Sequence, residues 1–128
     1  MARQNTMATY ITQLRKKAKA GDQGFPRGTL AFYGPDDRKA TKAVLGIFLH
    51  EGDEGTIYRY FSEEKDLRYK LDVQEDVLAR LREHEVQTLI MVEKIFGCPH
   101  EEGVDYPNGK KCPHCPYWAT HDRYSALE

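Results

Sequence analysis

All three cysteines of this 128-residue chain fall in one stretch, which runs Cys-Pro-His-Glu-Glu-Gly-Val-Asp-Tyr-Pro-Asn-Gly-Lys-Lys-Cys-Pro-His-Cys over residues 98–115. No other feature constrains the fold as much, because soft ligands gathered at these spacings force the chain back on itself. Cys112 and Cys115 form a Cys-x-x-Cys, in which a tight turn aims both sulfurs at one point. Cys98 and His100 form a Cys-x-His, which supplies a second pair from one short segment. Residues 101–111 join the pairs, with Asp105, Pro107, Asn108 and Gly109 as turn formers and Asn-Gly as a reversal signal. Four nitrogen and sulfur ligands are what a tetrahedral zinc ion requires. The reading is one structural Zn²⁺ held by Cys98, His100, Cys112 and Cys115 in a zinc-knuckle or ribbon-like loop. A disulfide would leave one of three thiols over, and thiolates also suit iron. His114 lies inside the Cys-x-x-Cys turn, where side chains point outward, and His121 is the alternative to His100.

Two sharper chemistries compete for the same residues. Cys112-Pro-His-Cys115 resembles the active-site tetrapeptide of the DsbA-type thioredoxin-fold oxidases, which implies an acidic nucleophilic thiol at Cys112. In that family the motif follows a core strand and opens a helix, whereas here Pro116 follows at once. His100-Glu101-Glu102 with Cys112 and Cys115 is similar to the zinc deaminases, which implies hydrolytic chemistry with Glu102 as proton shuttle. Lys111 stands where that family has Pro, and Cys98 fills the coordination position a reactive water needs. No phosphate-binding glycine loop, Gly-x-Ser-x-Gly or kinase signature appears.

A chain of this length buries a core of its own, so zinc is not its only source of stability. With 40% hydrophobic and 30% charged residues the composition is globular. The net charge of -1 gives no bulk attraction to nucleic acid. Basic residues do gather early: Arg3, Arg15, Lys16, Lys17 and Lys19 stand in residues 1–21 without an acid. The longest apolar run, residues 43–49, is too short to span a membrane, and no signal peptide is visible. Clustered thiols then place the chain in the cytoplasm.

The rest reads as an α+β domain. Met7, Tyr10, Ile11, Leu14 and Ala18 recur at helical spacing and predict an amphipathic helix over 6–20, capped by Thr6. Residues 21–28 read as a linker. Strands are predicted over 29–33, 42–50, 56–61 and 67–71, joined by turns at 34–37, 51–55 and 62–66, as an antiparallel meander of about four strands. Asp72, with Glu75 completing a capping box, opens a helix carrying Val73, Val77, Leu78 and Leu81 inward. The β-branched run over 86–96 suits a further strand better than a continued helix, and would deliver Cys98 to the sheet edge. His50 reads as a strand-end histidine, and Asp36, Asp37, Asp53 and Glu54 as turn carboxylates without calcium-loop spacing.

The implied organisation is a basic helix over 1–21, an α+β core over 22–97, a zinc module over 98–124 and a tail over 125–128, where Leu127-Glu128 looks like a tag junction. Trp118, the single tryptophan, would cover the module and fix it to the body. The expected function is binding rather than catalysis. Three thiolates, a neutral imidazole and Zn²⁺ leave one negative charge, which accounts for Lys110 and Lys111 without nucleic acid. A protein partner is therefore the first expectation. Nucleic acid, through Trp118 with Lys110, Lys111 and Arg123 beside it, is the second.

Overall fold

A computed structural model describes residues 6–101, 103–110 and 112–120, with the side chains of 6–9 and 119–120 left aside. Arg3, Glu102, Lys111, His121 and Arg123, which carried parts of the sequence reading, lie outside the described residues.

The chain is an α+β fold with helices on one face of a four-stranded mixed sheet. Helix α1 (Thr6–Lys19) is followed by strands β1 (Arg27–Tyr33), β2 (Lys42–Phe48) and β3 (Thr56–Phe61). A 3-10 turn (Leu67–Tyr69) leads into helix α2 (Leu71–Glu83), strand β4 (Thr88–Gly97) and a short helix α3 (Pro116–Thr120). The strand order is β3-β2-β1-β4, with β1, β2 and β3 antiparallel in sequence and β4 parallel to β1. No described helix is long and apolar enough to cross a membrane.

Side chains alternate along β1, so Leu30 and Phe32 are buried while Thr29, Ala31 and Tyr33 are half-buried. The buried set joins Leu45 and Ile47 of β2, Leu89 and Ile95 of β4, and Val77, Leu78 and Leu81 of α2 in one core. Leu14 of α1 belongs to that core, with Tyr10, Ile11 and Ala18 packed against it. Helix α1 therefore packs on the body, and Arg15 pairs with Glu93 of β4 at 2.7 Å. Gly28, assigned to the linker on sequence, stands within β1 because Leu81 and Val86 pack where its side chain would be.

The meander is shorter than the sequence predicts. Leu67, Tyr69 and Leu71 alternate with charged residues, yet they form the 3-10 turn and the first residue of α2 rather than a strand. The local chemistry decides this. The Asp66 carboxylate accepts the Arg68 backbone N–H at 3.0 Å and grips the Arg68 guanidinium, while Leu67 is fully buried. The fourth strand comes instead from β4, which α2 carries back beside β1. Helix α2 also starts two residues early. Lys70 is its N-cap without a side-chain cap bond, so Asp72 sits in the first turn and accepts from Val73 N–H at 2.9 Å, with no capping box. A carboxylate there still suits the positive helix end.

The opposite face of the sheet is covered by neither α1 nor α2, and the loop after β4 reaches it at Lys42 and Arg59. Val44 and Ala31 lie near its middle, with Ile57 and Phe61 on one edge strand and Ile90 on the other, the last three exposed.

Candidate metal centre

Strand β4 ends at Gly97, whose carbonyl accepts the Gly34 N–H at 2.9 Å. That bond holds the strand end against the β1–β2 loop, and Cys98 is the next residue. The loop then turns tightly. Glu101 N–H donates to the Asp105 carboxylate at 2.7 Å, Asp105 N–H returns to Glu101 O at 2.7 Å, and Gly103 N–H donates to Tyr106 O at 2.7 Å. Gly103 has φ +83, a left-handed conformation that glycine adopts without strain. These bonds bring the Cys112–Cys115 turn under the Cys98–His100 pair.

The four side chains predicted as ligands converge. One ligand atom from each of Cys98, His100, Cys112 and Cys115 lies within 4.8 Å of the others. Within that group, His100 Nδ1 is 3.3 Å from Cys98 Sγ, 3.4 Å from Cys112 Sγ and 3.5 Å from Cys115 Sγ. One nitrogen nearly equidistant from three sulfurs is the apex of a tetrahedron. Bond lengths of about 2.3 Å to sulfur and about 2.0–2.1 Å to nitrogen give a tetrahedral edge of about 3.6 Å. The arrangement can hold a metal ion with all four positions filled by protein.

The cluster is enclosed by protein. His100 N–H donates to Cys98 Sγ at 3.3 Å. All three cysteines are free and buried, as is Tyr106 beside them. Burial pushes the Cys98 and Cys115 thiols up from their ordinary range. Of the two histidines considered beside His100, His114 is exposed and only packs against its ring, with centroids 5.2 Å apart. His121 is outside the described residues, as is Glu102.

Trp118 holds the loop to the body. It packs against both the main core and the cysteine cluster, and its indole N–H donates to Gly34 O at 2.7 Å. Gly34 has no substitute, since a Cβ there would lie 2.0 Å from the Lys39 carbonyl oxygen.

Three residues that sequence reasoning did not single out complete the site. The Lys42 side chain, 5% exposed at the start of β2, donates to Pro99 O at 3.0 Å and to the Glu101 carboxylate at 3.1 Å. Arg59 of β3 donates to the same carboxylate at 3.2 Å through Nε and Nη2. Lys42 first, and Arg59 after it, hold the Glu101 carboxyl below the usual carboxylate range. Lys42 thus reaches the loop from the sheet, whereas Lys110, one of the two lysines its sequence position suggested, is exposed, and Lys111 lies outside the described residues. Only the third dimension brings residues 42, 59 and 101 together.

No protein-family model, curated protein or solved structure matches this chain.

Proposed function

We propose that this chain is a non-enzymatic interaction domain whose C-terminal loop is built on one structural zinc ion held by Cys98, His100, Cys112 and Cys115. The observation that carries the reading is His100 Nδ1 at 3.3, 3.4 and 3.5 Å from the three sulfurs. Three soft thiolates favour zinc over calcium or magnesium, which take oxygen ligands. A complete protein tetrahedron leaves no position for a water or substrate, and closed sites are structural sites. That argues against the deaminase-like chemistry. Buried, unpaired thiols fit a reducing compartment such as the cytoplasm.

An interaction role rests on the apolar residues left exposed on the sheet face away from α1 and α2. Ile57, Phe61 and Ile90 are exposed there. An apolar surface of this kind favours a protein partner over a phosphate backbone.

The test is metal content and X-ray absorption of the purified protein. One zinc per chain with three sulfurs and one nitrogen is the expected result. Absence of metal, or an oxygen ligand in place of a sulfur, overturns the structural-zinc reading.

A further inference from the structure

Strand β3 is an edge strand, and among the described residues only β2 pairs with it. Ser62 N–H donates to Thr41 O at 2.9 Å, next to the paired Lys42 and Phe61. Antiparallel ladders alternate, so Thr56, Tyr58 and Tyr60 direct their backbone groups toward β2. Ile57, Arg59 and Phe61 therefore direct their N–H and C=O groups to the free edge. Their side chains lie on the face away from α1 and α2, with Ile57 40% and Phe61 67% exposed.

The two edges of the sheet are built differently. On β4 the register with β1 shifts between Ala31 and Phe32, which leaves Glu93 and Lys94 bulged. Lys94 is exposed, and the Glu93 carbonyl is taken by Arg68 at 2.9 Å. A bulge, a lysine and a capped carbonyl are the means by which sheets block pairing with another chain. Strand β3 has none of them. Its sequence Thr-Ile-Tyr-Arg-Tyr-Phe has no proline, glycine or lysine, a make-up that pairs readily with another strand. Its one charge, Arg59, is already matched by Glu101.

The sequence of the strand names the occupant. Ile57-Tyr58-Arg59-Tyr60-Phe61 is a near-palindrome about Arg59. We propose that β3 pairs antiparallel with β3 of a second copy of this chain, across a two-fold axis at Arg59, joining the two sheets into one. Ile57 of each copy then faces Phe61 of the other, Tyr58 faces Tyr60, and the outward backbone groups form three narrow pairs, each exchanging two hydrogen bonds. Arg59 faces Arg59, and Glu101 beside each one offsets the repulsion. A slip by one residue would oppose side chains on different faces, which fixes the register.

This pairing names one partner for the interaction role proposed above and needs no metal. The experiment is sedimentation equilibrium on the full chain, with Ile57→Pro and Phe61→Lys variants. The Ile57 N–H points to the free edge, so proline there removes no bond to β2. The wild-type chain is expected to dimerise, and each variant to raise the dimer dissociation constant roughly tenfold or more with an unchanged circular dichroism spectrum. Hydrogen exchange on the wild type gives a reading independent of any variant: amides of Ile57, Arg59 and Phe61 are expected to gain protection as the dimer forms. A wild-type monomer overturns the proposal even if an unlike strand binds there. So does a dimer that both variants leave intact, or one in which those amides stay unprotected. A monomer carrying one zinc would sink the pairing and spare the metal reading, and a dimer without zinc would do the reverse.

Discussion

Lys42 shows how much one side chain can tie together. It lies at the start of β2 on the sheet face away from α1 and α2, and its side chain is buried where it meets the metal loop. An ammonium so enclosed is tolerable only while Pro99 O and Glu101 take its protons. Both partners flank His100, so the lysine fixes the segment that presents a ligand. Replacing Lys42 with Met keeps the apolar stem and removes the charge. Glu101 is partly exposed and keeps Arg59, so the expected loss is about 1–2 kcal/mol, well below that for breaking a fully buried pair. Metal affinity should fall by about tenfold, as when other outer partners of a ligand are lost. Acid weakens the same contact. Glu101 is held below its ordinary pKa, so its contribution is present above the unfolded carboxyl range and is lost as pH falls through the folded value. The stability gap between wild type and Lys42→Met should therefore narrow as pH falls below about 4.5. Denaturant titrations at neutral and acidic pH measure it, and a gap that widens in acid would refute the assignment.

At the level of elements, the end of α2 stores strain that a single substitution releases. Val86 N–H bonds Leu81 O at 2.9 Å and Glu85 N–H bonds Arg82 O at 3.1 Å, the paired bonds of a glycine-type helix stop. The residue that turns left-handed there is Glu85, at φ +52, where glycine is the usual occupant. Glu85→Gly should raise stability by roughly 0.5–1 kcal/mol, the relief of strain exceeding the added freedom of the unfolded chain. Thermal unfolding checks this, and a lowered midpoint would count against it. The same helix shows what the sequence could and could not disclose. Val73, Val77, Leu78 and Leu81 repeat at helical spacing, so α2 was legible, as was β4 from its β-branched run. The segment at 67–71 was not, because a two-residue alternation fits a strand and also fits a 3-10 turn that buries one leucine. Asp66 settles the matter by folding back on Arg68, a local bond that hydrophobic pattern does not report. The parallel pairing of β4 with β1 was equally hidden, since strand order depends on a crossover rather than on either strand's own sequence. The candidate ligands were legible because their spacing is itself the signal. Lys42, Arg59 and Glu101 were not, because they are distant in sequence and carry no periodicity.

Across the whole molecule, two apolar clusters are joined through one side chain. The larger one draws its buried residues from α1, β1, β2, α2, β4 and the segments between them, the last in sequence being Ile95. The smaller one consists of three cysteines and Tyr106, with Trp118 packed against both. Holding a loop of this length costs about 1–2 kcal/mol of backbone entropy per residue. Tyr106 and Trp118 cannot offset that by burial alone. A structural zinc site contributes apparent binding free energy of about 10–16 kcal/mol in small modules, far more than these two side chains supply. Removal of the metal by a chelator should therefore disorder residues 98–118 and leave the main core folded. Trp118 is the only tryptophan, so its emission should shift to the red as it leaves Gly34 for water, while far-ultraviolet circular dichroism stays close to that of the loaded protein. Amide exchange should accelerate in the loop and stay slow in β1 and β2. Loss of both signals together would mean that the loop is a keystone of the core. No change in either would mean that the loop is organised without metal. The division of the core into two clusters favours separate unfolding, because the loop is tied to the body by the Trp118 indole and by polar contacts at Gly34, Lys42 and Arg59, while the two sets of buried residues share no member.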